Sequence, residues 1–339
     1  MKNSRHIWLA VLLACASPVP GAARAESPDA KWIQTDQLLW GLRRGLQFAI
    51  HPAGFGGQNG GPRGLIRVGA PVLPDGGHTL VNFIAVEPVV EGKRGFSELD
   101  HSQRDQAEGK RFSAEAAKIS SPALGVEQLD VPVNVEKFGN GAHVRLVVSQ
   151  RTDLPDEIRL TVYMQPDSAP VEACILTATM GNMVRTRRLW LQDEVLSSLK
   201  LYPDFRGDGF TPHTVRPLSR LARNAAKDVI VAVTGDELDP AAVFPFPGSR
   251  AWHYAGVPVT QYWKMNKGLV RDDLCVAVNA RYTYWQSQRP IRGGVAFENF
   301  ELWTRFRQGQ SFVFGVTRAT PAELGIGRHT GGPAIAPRN

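Results

Sequence analysis

Several side chains in this chain have the types and spacing that proton-transfer chemistry uses. The densest group is the stretch Tyr202-Pro-Asp-Phe-Arg-Gly-Asp-Gly-Phe-Thr-Pro-His213. Histidine is the side chain whose ordinary pKa lies nearest neutrality, and His213 beside carboxylates such as Asp204 reads as a general base. Asp204 and Asp208, with Gly209 following, also have the oxygen spacing of a calcium loop. The further acids of an EF-type loop are absent, so a weak Ca²⁺ site competes with an Asp-capped turn, and no cofactor is required. A second group lies at 251–264, AWHYAGVPVTQYWK. His253 and Tyr254 are a second candidate acid–base pair. Tyr262, Trp263 and Lys264 are candidate sugar contacts, with rings to stack on C–H faces and polar tips to bond hydroxyls. The same rings would equally fill a sandwich core. Arg185 or Lys264 could neutralise a uronate carboxylate while a His or Tyr moves the proton, as a polysaccharide lyase needs.

Other motifs narrow the chemistry. The run Gly54 to Gly64 is glycine-rich but lacks the GK[ST] ending and βαβ setting of a phosphate loop; Arg63 within it is a candidate ligand contact. Glu298 and Glu301 suggest a carboxylate pair. On a regular strand, residues three apart face opposite ways, so one cleft would receive only one of them. Neither the G-x-S-x-G elbow nor the H-E-x-x-H zinc motif occurs. Cys174 and Cys275 each sit in an apolar run; in an oxidising compartment they could pair, and otherwise they pack as buried thiols.

The elements that must position these groups read as strands. Runs rich in β-branched and aromatic residues recur at 143–149, 158–164, 171–180, 187–201, 228–234, 257–263, 274–285, 294–303 and 311–317. Helical patterning is sparse: 36–48 has some 3.6-residue character despite Gly41 and Gly45, with short turns at 113–119 and 321–324. The expected fold is therefore all-β, a large antiparallel sandwich of jelly-roll, concanavalin-like or mutarotase-like supersandwich type. The segment Gly293 to Leu302 resembles the final strand of concanavalin-type sugar-binding sandwiches, over ten residues, and no site is carried over from it. Long loops are expected through about 50–120.

Residues 1–25 read as a cleavable secretory signal. Lys2 and Arg5 precede an apolar run at 7–16, and Ala23-Arg24-Ala25 supplies the small residues for a cut after Ala25. Lipidation at Cys15 is the rival processing route. The expected mature chain, 26–339, is then one periplasmic or secreted domain with no further apolar run long enough to span a membrane. With 43% hydrophobic and 21% charged residues it has material for a core. Of the formal charge of +7, the leader supplies three through Lys2, Arg5 and Arg24. The modest remainder is dispersed, which gives no case for nucleic acid but suits an acidic polysaccharide. Taken together, the residues point to an exported enzyme acting on a polysaccharide, as a lyase or a glycoside hydrolase. The alternative is a non-catalytic carbohydrate-binding or cell-envelope sandwich. Oligomeric state is not encoded in these patterns.

Overall fold

In a computed structural model, residues 31–35, 38–50, 65–72, 76–96, 112–179, 185–235, 259–283, 288 and 290–327 are described. Strands β1 (Trp32–Thr35), β2 (Leu39–Leu42), β3 (Gln47–Ile50), β4 (Ile66–Ala70) and β5 (Thr79–Val90) run as an antiparallel meander, and β6 (Lys93–Arg94) folds back on the end of β5. The chain then enters a second sheet with β7 (Phe112–Ala114), β8 (Lys118–Ala123), β9 (Val126–Val135), β10 (Val144–Arg151) and β11 (Glu157–Met164). It returns to the first sheet as β12 (Ala173–Thr179) and goes back to the second as the hairpin β13 (Thr186–Trp190) and β14 (Val195–Ser197). One turn of helix, α1 (Ser198–Leu201), leads to β15 (Thr214–Pro217) in the first sheet. Strands β16 (Ala222–Arg223), β17 (Val229–Gly235) and β18 (Thr260–Met265) belong to the second sheet, β19 (Cys275–Arg281) and β20 (Ala296–Arg305) to the first, and β21 (Gln310–Thr317) to the second.

Among the described residues the first sheet has order β1-β2-β3-β4-β5-β12-β20-β19-β15, and the second β14-β13-β17-β18-β21-β11-β10-β9-β7. The two pack face to face as a β-sandwich, and every pairing is antiparallel. Period-two patterning explains the second sheet directly. In β11, Ile158, Leu160 and Val162 are buried while Arg159 and Tyr163 are exposed. Between the sheets the apolar faces merge into one core. Its centre holds Trp263 of β18, whose ring meets Phe314 edge-on at 5.0 Å and whose Nε1 donates across the sandwich to the Phe300 carbonyl at 2.9 Å. That bond removes the cost of burying the indole N–H.

The first sheet departs from simple alternation where it matters for function. In β12 every residue after Ala173 is buried, and Glu87, Thr177, Thr179, Asn279 and Glu301 are buried polar groups. They form a polar layer on the sheet's outer side: Thr177 pairs with Glu301 across β12 and β20, and Thr179 with Asn299.

Several expectations are corrected. Where a helix is expected at 36–48, the described residues 38–48 form the hairpin β2–β3, because Gly41 takes φ +130° and Gly45 lets the turn pass against the Pro155 carbonyl. The turn expected at 113–119 is instead covered by β7 and β8. The single run expected at 187–201 breaks into β13, β14 and α1. Within the stretch expected to be loops lie β4 and the twelve-residue β5, which is buried on both faces through most of its length and so lacks an alternating signature. No helix among the described residues is long and apolar enough to cross a membrane.

Candidate functional site

The site lies on the outer side of the first sheet, where a loop, a hairpin and three central strands converge. After α1 the chain crosses the stretch 203–210, exposed except for Phe205, and is pinned at both sides of the sheet edge. Thr211 pairs with Ala280 through its amide and its hydroxyl, both at 2.9 Å. The Tyr202 hydroxyl lies 3.0 Å from the Pro212 carbonyl and 2.9 Å from Thr214 Oγ1. These bonds fix the backbone on either side of His213 and aim its ring across β19 toward β20.

There the imidazole Nε2 lies 3.1 Å from Oε1 of Glu301, a fully buried side chain, whereas the His213 side chain is 35% exposed. Asn279 Nδ2 is 3.3 Å from the same nitrogen, its amide oriented by the Asn299 N–H, which donates to Oδ1 at 3.1 Å. A carboxylate only accepts, and a charge-assisted bond at the shorter distance outweighs a longer neutral one. The proton therefore sits on Nε2, and the Nδ1 lone pair has no partner among the described residues.

Behind Glu301 stands a chain of charges. Arg94 Nη2 donates to Glu301 Oε1 at 2.7 Å and to Thr177 Oγ1 at 3.0 Å, and its Nε donates to Glu87 Oε2 at 2.5 Å. Thr177 in turn donates to Glu87 at 2.8 Å, and the Trp303 indole N–H donates to Glu301 Oε2 at 2.8 Å. The guanidinium also lies over the rings of Phe96 and Trp303. Two carboxylates share one guanidinium, so the buried triad has net charge −1, directed at the His213 ring. Burial pushes Glu301 up, but the His213 bond and the Arg94 charge outweigh it and hold its pKa below the ordinary carboxylate value. For Arg94, burial opposes the charged form, and the two carboxylates more than restore it.

His213 is the sequence-derived candidate that the structure brings to this cluster. Its carboxylate partner is Glu301, not Asp204. Asp204 and Asp208 are both exposed, and Asp208 engages the fold through its carbonyl, which accepts from Arg281 at 2.9 Å. Among the described residues no group of three or more His, Cys, Asp or Glu side chains converges as a metal site. Tyr262 and Trp263 do not form a sugar platform: both are buried, Trp263 in the core and Tyr262 under the 321–326 segment with its hydroxyl donating to Glu157 at 2.8 Å. Lys264 is drawn into the same contact, 2.5 Å from Glu157. Arg185 is 1% exposed at the start of β13, in the other sheet, so it presents no free face to a substrate. Arg63, His253 and Tyr254 lie outside the described residues.

Cys174 and Cys275 are free thiols, the second of the two alternatives that their apolar runs allow. They occupy strands on opposite sides of β20, opposite Thr304 and Trp303. Two strand spacings come to about 10 Å, beyond the roughly 7 Å limit for a bridge, and the neighbouring positions 303 and 304 face opposite ways. The regular strand geometry expected to separate Glu298 from Glu301 is interrupted locally. Asn279 pairs with Asn299 but Ala280 with Phe297, so Glu298 is an extra residue in a bulge, and both glutamates are buried.

Arg94, Glu87 and Thr177 were not anticipated. The available signal was Glu87 itself, a lone carboxylate inside the apolar run at 79–90. A charge there demands a buried partner. No family model, no curated protein and no solved structure matches the chain.

Proposed function

We propose that the protein is an exported carbohydrate-active enzyme that acts on a polysaccharide by general acid–base chemistry, with His213 as the proton-transfer group. The observation that carries this reading is the His213–Glu301 pair. A carboxylate anchors one ring nitrogen, a buried charge network anchors the carboxylate, and the other nitrogen is left able to take a proton. Glu301 and Arg94 act as positioning residues. Since Glu87 and Glu301 are buried and share Arg94, they are poorly disposed to act as an acid–base carboxylate pair on a glycosidic bond. The chemistry therefore rests on the imidazole, which would remove a proton from water in a hydrolase or from a sugar carbon in a lyase. Sugar as the substrate class is supported by the aromatic rings around this loop: Phe210 at 45% exposed, Tyr282 under Arg206, and Trp303 beside Glu301.

The non-catalytic binding reading is favoured by a different observation. Each member of the Glu87–Arg94–Glu301 triad already makes an ion pair inside the fold, as in a rigid recognition surface. A polysaccharide panel separates the two, read by new reducing ends and by absorbance of unsaturated uronates. Turnover that falls about 100-fold to 10,000-fold in His213→Ala is the expected result. Binding without turnover on every substrate supports the module and overturns the enzyme.

A further inference from the structure

The outer face of the second sheet carries a shallow recess in which the lining groups have spent their bonding capacity unevenly. Arg159 of β11 pairs in register with Ser149 of β10 on one side and Val313 of β21 on the other. Alternation turns all three outward, with Glu157 two residues away on the Arg159 side of the strand. Arg151 is held by Asp153 through two bonds of 2.9 and 2.7 Å, and Gln128 by Asp130 at 2.9 Å. Lys264 and the Tyr262 hydroxyl both engage the same oxygen of Glu157, Oε1.

Three functions are left over. Among the described residues the Arg159 guanidinium, the Ser149 hydroxyl and Glu157 Oε2 have no hydrogen-bond partner. Charge follows the same division. Lys264 offsets Glu157 and Asp153 offsets Arg151, while Arg159 makes no ion pair among the described residues; Asp130, in register with Ser149 on its far side, brings one carboxylate to the rim. Val313 and the partly exposed Leu154 give the recess apolar surface.

We propose that this recess is a binding site for a hydroxylated carboxylate, with a sugar acid as the ligand class. The Arg159 fork takes the carboxylate in the two-bond geometry that guanidinium and carboxylate share. Ser149 donates to the same group, Glu157 Oε2 accepts from a ligand hydroxyl, and Val313 meets the C–H face. Tyr262 and Lys264 orient Glu157 and do not themselves touch the ligand. The site is on the opposite side of the sandwich from His213 and does not rest on the acid–base reading of that face.

Calorimetric titration of the full chain with glucuronate, and with glucose as the neutral control, tests this. Glucuronate is expected to bind at least about tenfold more tightly than glucose, a difference equivalent to one charge-assisted contact. Arg159→Gln, at an exposed position, is expected to remove that preference while keeping an unchanged circular-dichroism spectrum, and His213→Ala to preserve it. Equal binding of the two sugars, no binding of either, or a preference that survives Arg159→Gln overturns the proposal. So does a preference abolished by His213→Ala, because that places the acid-binding site on the first sheet.

Discussion

At the scale of single residues, Glu301 has the largest number of consequences. It is buried, accepts from Arg94, Trp303 and His213, and has a pKa held below the ordinary carboxylate value. A group whose folded pKa is depressed adds stability above its unfolded value, and that stability disappears as pH falls through the folded value. The unfolded value is about 4.3, so the contribution is complete at neutral pH and is lost progressively in more acid solution. Glu301→Gln keeps the shape and removes the charge. It is expected to destabilise the protein by about 1–3 kcal/mol at neutral pH, and the gap to wild type is expected to narrow below about pH 4. Urea denaturation at the two pH values checks this; a gap independent of pH would detach Glu301 from Arg94 and His213. In turnover assays the same substitution is expected to change the pH–rate profile, because the His213 ring then faces a neutral amide that can present either its oxygen or its NH2 in place of a charged, accept-only carboxylate, whereas a purely structural role would leave the profile in place.

At the scale of elements, the contact between β18 and β21 illustrates how backbone and side chain fit together. Gly315 lies directly under the Tyr262 ring, and a Cβ at that position would collide with the ring and the hydroxyl. Burial, followed by the neighbouring Glu157 charge, pushes the Tyr262 hydroxyl well above its ordinary range, so it stays a donor to Glu157. Gly315→Ala is expected to cost about 1–3 kcal/mol by displacing that ring, and most of the cost should vanish in a Tyr262→Ala background. Equal costs in both backgrounds would show that the glycine serves the backbone alone. Trp263→Ala, which empties the middle of the core and removes the indole bond to the Phe300 carbonyl, is expected to cost about 3–5 kcal/mol in chemical denaturation. The β18 segment was legible as a strand, but whether its rings face a ligand or the core was not. The TQYWKM run is buried on both faces at most positions, so alternation does not distinguish inside from outside.

At the scale of the molecule, the arrangement of the first sheet decides the fate of the thiols. Burial, with the carboxylate of Asp273, pushes Cys275 up to about 11, and burial raises Cys174 further. Both are therefore expected to resist alkylation in the folded protein at neutral pH and to label fully on unfolding without reductant. Mass spectrometry after such treatment checks this; an unlabelled pair would contradict the two-strand separation across β20. The same arrangement assembles the candidate site from distant parts of the chain. Glu301 and His213 are separated by 88 positions, and Glu301 and Arg94 by 207. By itself the sequence determined the all-β class, most strand positions in the second half and the chemical character of His213, because period-two burial and residue type are local properties. Only the tertiary structure decided that the carboxylate beside His213 is Glu301 and not the nearby Asp204. It alone also placed Tyr262 and Trp263 inside and kept the cysteines apart. Each of these depends on strand order and register, which pair residues with no fixed spacing along the chain.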